Sequence, residues 1–229
     1  MTTTISWIEP WGQLAWLRQC DDAIARVCFD TPSSHVVGGP VPGYQVTATR
    51  LFTAFDTYAQ TNPAYGGWVI YDLENWAQSP AVDKNDPAAA YSHFLSLAKA
   101  RGHGLIATPG RDLVYAQGGP QGGESLNDAY LRLGIPAACA GAPIMLVQSQ
   151  GSQKDLAAFT SLISGAMAQR VDPNQAVWFG LTTAAGTTVK QLSDAYSAAL
   201  ALGVSGCWLT IGAQGQAQTA ADFLHWTTT

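Results

Sequence analysis

Short apolar runs alternate with amphipathic stretches along most of the chain. The runs occupy residues 26–31, 68–74, 104–108, 144–148, 177–182 and 207–211, and two weaker ones lie at 43–47 and 7–9. They are rich in Val, Ile, Trp and Phe and lack strict two-residue alternation. That is the signature of strands buried on both faces of a parallel sheet.

The intervening segments repeat their apolar residues at helical spacing. Residues 12–25 read as an opening helix. Asp86-Pro87 begins another, because an Asp side chain accepts from free first-turn amides and proline suits the first helical position. Its stripe is Tyr91, Phe94, Leu95 and Ala98, and Gly102 ends it. Residues 154–168 give a third, with Leu156, Phe159, Leu162 and Ile163 on one face. Residues 188–202, closed by Gly203, give a fourth, and 222–226 the last turns of a closing helix.

Strand–helix alternation of this kind predicts a parallel sheet covered by helices, in one domain spanning 1–229. A small or incomplete (β/α)8 TIM-type barrel fits best, and an open doubly wound parallel sheet is the alternative. No G-x-G-x-x-G follows the first strand and no G-x-x-x-x-G-K-[ST] occurs, which disfavours dinucleotide or nucleoside-triphosphate binding. The Gly- and Pro-rich stretch 31–43 and the Gly- and Gln-rich stretch 114–124 both follow strands and read as loops on the strand-end face.

Composition narrows the function classes. Apolar residues make up 47% and charged residues 12%, against roughly 25% charged in an ordinary globular protein, so disorder is not expected. The net charge of −5 gives no basic footprint for nucleic acid. No run approaches the ~20 apolar residues that span a bilayer. The first residues carry no secretory pattern, so a cytoplasmic location, or a leader missing from this sequence, is expected. Cys20, Cys28, Cys139 and Cys207 are scattered without C-x-x-C and read as small buried hydrophobes rather than a disulfide or zinc framework. There is no H-E-x-x-H and no G-x-S-x-G, so neither a zinc hydrolase nor a serine hydrolase is indicated.

The sharpest local feature is Tyr71-Asp72-Leu73-Glu74-Asn75-Trp76. Alternation along a strand puts Asp72 and Glu74 on one side, at the strand end where parallel α/β proteins hold their sites. Glutamate is scarce here: Glu9, Glu74 and Glu124 are all there are, so one beside a strand-end Asp stands out. Neighbouring carboxylates raise each other's proton affinity, so one can stay protonated as a general acid while the other remains an ionised base, nucleophile or stabiliser. Glycosidic bond cleavage needs that division. Asp30, ending the first clear strand, is the best third carboxylate. Thr108, Arg111, Asp112, Gln148, Gln150, Thr182, Thr183 and Thr210 are polar groups at or just beyond other strand ends, and Arg111 suits an anionic substrate group. Trp76 reads as a ring at the mouth that stacks on a sugar face, with Tyr71 and Asn75 shaping the pocket. Trp68, Trp178 and Trp208 read as core or helix-facing, and His103 as pointing away from the site.

On the residues Tyr71-Asp72-Leu73-Glu74, the strand-end D-x-E resembles the motif of (β/α)-barrel glycoside hydrolases of the chitinase-like and lysozyme-like kinds. The resemblance implies that Glu74 is the proton donor and Asp72 the carboxylate assisting substrate or intermediate. It covers about six residues. The longer chitinase pattern D-x-x-D-x-D-x-E is absent, since Ile70 and Gly67 occupy its earlier acidic positions.

The leading expectation is thus a hydrolase of glycoside-hydrolase type acting on a carbohydrate or other small molecule, with no cofactor. A second has Asp30, Asp72, Glu74 and Asp112 gather a magnesium ion for a lyase or cyclase reaction. A third is a non-catalytic barrel that binds a sugar or apolar ligand.

Overall fold

The computed structural model describes residues 6–10, 13–21, 28–31, 37–38, 45–49, 55–56, 60 and 67–228. Its strands are β1 (Ser6–Pro10), β2 (Cys28–Thr31), β3 (Val37–Gly38), β4 (Gln45–Thr49), β5 (Trp68–Leu73), β6 (Gly104–Pro109), β7 (Ile144–Val147), β8 (Ala176–Thr182) and β9 (Gly206–Thr210). Its helices are α1 (Gln13–Cys20), α2 (Ala81–Asn85), α3 (Pro87–Ala100), α4 (Leu113–Ala116), α5 (Leu126–Arg132), α6 (Leu156–Ala168), α7 (Val189–Ala201) and α8 (Ala217–Thr228).

The nine described strands belong to one sheet, in the order β2-β1-β9-β8-β7-β6-β5-β4-β3. Every pairing is parallel except that of β3 with β4. From β4 to β9 the order follows the chain without reversal, and β1 and β2 continue it round. A doubly wound sheet would reverse its order at a switch point, so that alternative is set aside. At the two ends of the sheet β2 comes back against β3 and β4. The sheet thus curls on itself as an incomplete (β/α)8 barrel.

Two apolar layers result from strand alternation. Outside the sheet, Val69, Tyr71 and Leu73 of β5, Leu105 and Ala107 of β6, and Phe179 and Leu181 of β8 are buried with the inner faces of the helices. Inside it, Ile70, Ile106, Ile144, Leu146 and Trp178 form a separate cluster flanked by Trp68, Ala176 and Trp208. The strand tryptophans therefore pack in the barrel interior: of the two places expected for them, core or helix-facing, they take the core. Register explains how a small barrel holds such rings: Trp68 is paired with Gly104 and Trp178 with Gly206. A Cβ on Gly104 would lie 2.5 Å from the Trp68 ring, and one on Gly206 2.3 Å from the Trp178 ring. Each indole lies over a neighbouring strand that has no side chain at that level.

The helices follow their caps. The Asp86 side chain accepts from Ala89 N at 3.0 Å and starts α3, which buries Ala90, Tyr91, Phe94 and Ala98. Asp155 caps α6 in the same way through Ala158 N. Leu156, at the first position of α6, is exposed rather than part of its buried stripe. Thr188 and Gln191 form a reciprocal capping box at α7. Helix α5 has no counterpart in the sequence reading; it is short, and Ser125 caps it through Asp128 N. Helix α8 begins five residues before the predicted turns; its buried stripe, Ala217, Ala220, Ala221 and Leu224, starts with alanines, which give a weak apolar signal. The stretch 114–124 carries the end of α4 and then turns, and 31–43 lies largely outside the described residues. Among the described residues, no helix is long and apolar enough to cross a membrane.

Candidate active site

A cavity of about 380 Å³ opens at the C-terminal ends of the strands. Its wall comprises Gln13, Asp72, Glu74, Trp76, Thr108, Arg111, Leu146, Gln148, Gln150, Trp208 and Thr210. Strand parity accounts for most of this set. Ile70 and Asp72, Ile106 and Thr108, Leu146 and Gln148, and Trp208 and Thr210 are successive inward positions on β5, β6, β7 and β9 or just past their ends. Each series is apolar at depth and turns polar at the mouth.

The two carboxylates of the D-x-E thus border one hollow. Asp72 accepts a hydrogen bond from Gln148 Nε2 at 2.8 Å. Thr108 stands beside Asp72 in register, and its hydroxyl is buried without a hydrogen-bond partner among the described residues. Glu74 lies just beyond the end of β5, against the turn that follows β6. There Gly110 N donates to Leu73 O at 2.8 Å, and a Cβ on Gly110 would lie 2.9 Å from Glu74 Cγ. The missing side chain at Gly110 is what lets the main chain after β6 pass so close to Glu74. Trp76 is 44% exposed at the rim, and its carbonyl accepts from Lys84 Nζ at 3.0 Å.

Arg111 enters from the loop after β6. Its Nη1 donates to Asn127 Oδ1 at 2.7 Å and to Ser152 Oγ at 2.9 Å, and its Nη2 to Gln150 O at 2.6 Å. Burial pushes the guanidinium pKa below its ordinary value, opposed by smaller effects of Tyr130 and Asp112.

Other residues expected at the site lie elsewhere. Tyr71 is fully buried on the helix side: its hydroxyl donates to Asp83 Oδ2 at 2.9 Å and its ring stacks on Phe94 at 4.3 Å. Parity decides this, since Tyr71 is one residue from Asp72 and must face the other way; its pocket role is withdrawn. Burial, and then the bond to Asp83, push its phenol pKa far up. Asp112 and Asn75 do not border the cavity: Asp112 Oδ1 accepts from Asn75 N at 3.0 Å and ties the two strand-end loops together. Thr182 is buried beside it, where its hydroxyl accepts from Ala184 N at 3.1 Å. Asp30 sits in β2 in register with Glu9, and its side chain lies outside the described residues. His103 is buried against Phe55, away from the mouth.

Thr108 and Gln150, expected among the polar strand-end groups, line the cavity, whereas Leu146, Trp208 and Gln13 were not foreseen there. Trp208 was signalled by parity, being two residues before Thr210, and its indole N donates to the Thr210 hydroxyl at 2.9 Å. Gln150 follows β7, and its side-chain amide lies 2.4 Å from where a Cβ on Gly180 would stand. Gln13 had no local signal: its Oε1 accepts from Ile211 N, joining α1 to the end of β9 across the whole chain.

Among the described residues no three His, Cys, Asp or Glu side chains gather as metal ligands. Asp112, one of the four proposed for magnesium, is instead taken up by Asn75 N.

No protein-family model and no curated protein matches the chain. Among solved structures, bee venom hyaluronidase in complex with a hyaluronic acid tetramer matches with a TM-score of 0.42 and 10% identity, over 72% of this chain and 67% of that one. A monoclinic crystal structure of bee venom hyaluronidase matches with 0.42 and 10%, over 78% and 75%. GH10 from Paenibacillus barcinonensis matches with 0.43 and 13%, over 88% and 68%. All three TM-scores lie below 0.5, so these likenesses carry no argument about this chain. At such similarity no catalytic residue transfers from them, and function is read from the site itself.

Proposed function

We propose that the protein is a glycoside-hydrolase-like enzyme, with Glu74 as general acid and Asp72 as the carboxylate that supports positive charge developing at the sugar ring. The observation that carries this reading is that both side chains border one strand-end cavity together with the rings of Trp76 and Trp208. In this scheme Glu74 gives its proton to the glycosidic oxygen as the bond to the anomeric carbon breaks. Asp72, held by Gln148, stays ionised and faces the cationic carbon, while Trp76 packs on a sugar face. Water then supplies hydroxide to that carbon and its remaining proton restores the acid. The neutral amides of Gln148 and Gln150 suit sugar hydroxyls, which both donate and accept.

The test is a Glu74→Gln variant assayed, beside the wild type, for release of reducing ends from a panel of aryl glycosides and polysaccharides. Loss of a general acid lowers turnover by about 10²–10⁴-fold, and the melting temperature is expected to stay unchanged. Full rate in the variant, or no product from the wild type across the panel, overturns the assignment.

A further inference from the structure

Arg111 is a cation set into the cavity wall whose hydrogen-bond acceptors among the described residues are all neutral. Its described partners are an amide oxygen, a hydroxyl and a main-chain carbonyl. The described ion pairs join Arg101 to Asp56, Arg132 to Glu124, Lys190 to Asp194 and His225 to Asp21, and none includes Arg111. A guanidinium has five N–H donors. Two on Nη1 and one on Nη2 are spent, which leaves Nε–H and one Nη2–H, on adjacent nitrogens, unspent among the described residues. A half-buried cation held rigid by neutral hydrogen-bond acceptors, with the Asp112 carboxylate acting on it only through space, sits in a site partly shielded from water, where an anion is attracted more strongly than at the surface. The buried Thr108 hydroxyl on the same wall, without a partner among the described residues, is a second polar group for a ligand to satisfy.

We infer that the cavity takes an acidic sugar, whose carboxylate is received by the free N–H groups of Arg111 while Asp72 and Glu74 address the neighbouring glycosidic bond. This rests on the proposed hydrolase reading and adds the substrate class to it. The planar fork of arginine matches a carboxylate in a way that lysine does not. The rigid hold of Asn127 and Ser152 sets the fork before the ligand arrives, so little ordering entropy is lost on binding. The acidic mouth disfavours a carboxylate anywhere except at Arg111, which fixes the direction in which the sugar lies.

The experiment compares oligogalacturonate with its methyl ester on the wild-type protein by calorimetric titration. Esterification removes the charge and leaves the sugar ring in place. The acid is expected to bind at least about tenfold more tightly, the ratio given by one charge-assisted hydrogen bond of about 1.5–3 kcal/mol. In Arg111→Gln the preference is expected to vanish, and in Arg111→Lys to return only in part. Equal binding of acid and ester by the wild type overturns the inference, and this arm holds even if the Arg111 variants fail to fold. No binding of either also overturns it. The two readings fail separately: a Glu74→Gln protein that prefers the acid yet retains full turnover sinks the hydrolase assignment alone, whereas hydrolysis of neutral glycans with no acid preference sinks the acidic-sugar inference alone.

Discussion

The layer outside the sheet and the layer inside it come from the same strands and differ in nearly everything else. Outside, Tyr71, Tyr91, Phe94 and their neighbours are wholly buried, and the hydroxyls of Tyr71, Tyr91 and Tyr130 donate to protein oxygens, Tyr71 to Asp83. Inside, the apolar cluster is small and gives way within one or two residues to Asp72, Thr108, Gln148 and Thr210. The lesson is that one residue of strand register separates packing from chemistry: Tyr71 and Asp72 are neighbours in sequence and belong to different halves of the protein.

The difference can be broken most severely from the outer layer. Phe94 touches both Tyr71 and Phe55 through its ring, so Phe94→Ala leaves a cavity at the centre of an aromatic group. Chemical denaturation is expected to show a loss of about 3–5 kcal/mol. A loss under 1 kcal/mol would mean that the outer layer is not where the stability resides. The inner layer is probed by Gly206→Ala, whose added methyl meets the Trp178 ring. Overpacking of this kind costs about 1–3 kcal/mol. It is expected to lower the melting temperature and disturb the near-ultraviolet signal of the tryptophans; an unchanged melting curve would refute the seating of the ring on the glycine.

The smallest effect is confined to alkali. Burial raises the phenols of Tyr71, Tyr91 and Tyr130 well above their usual value, and Tyr196 to about 12. A raised folded-state pKa means that the unfolded chain releases its proton first. Stability should therefore be flat with respect to these groups below about pH 10 and fall as the pH climbs through 10 toward 12. Absorbance at the tyrosinate band should rise for these residues together with loss of helical signal. Ionisation of all tyrosines before any unfolding would contradict their burial.

Much of this was legible in the sequence, and the exceptions have physical reasons. Strands with uniform apolar runs and helices with an Asp or Thr cap announce themselves, because both signals are local. The D-x-E placed Asp72 and Glu74 together because period-two alternation is local as well. Tyr71 misled because nearness to the motif was read as nearness to the site, although parity already argued against it. Gln13 could not be found locally, since α1 meets β9 only after the chain has gone round the barrel. Helix α5 was missed because seven residues hold too few turns for periodicity to show.

The indole rings resting on Gly104 and Gly206 tie each pair of positions into a single unit of change. A larger residue in place of either glycine is admissible only when the ring opposite shrinks in the same lineage, so the two sites must drift as one. Any relative that keeps this barrel bore is expected to inherit both partners or neither.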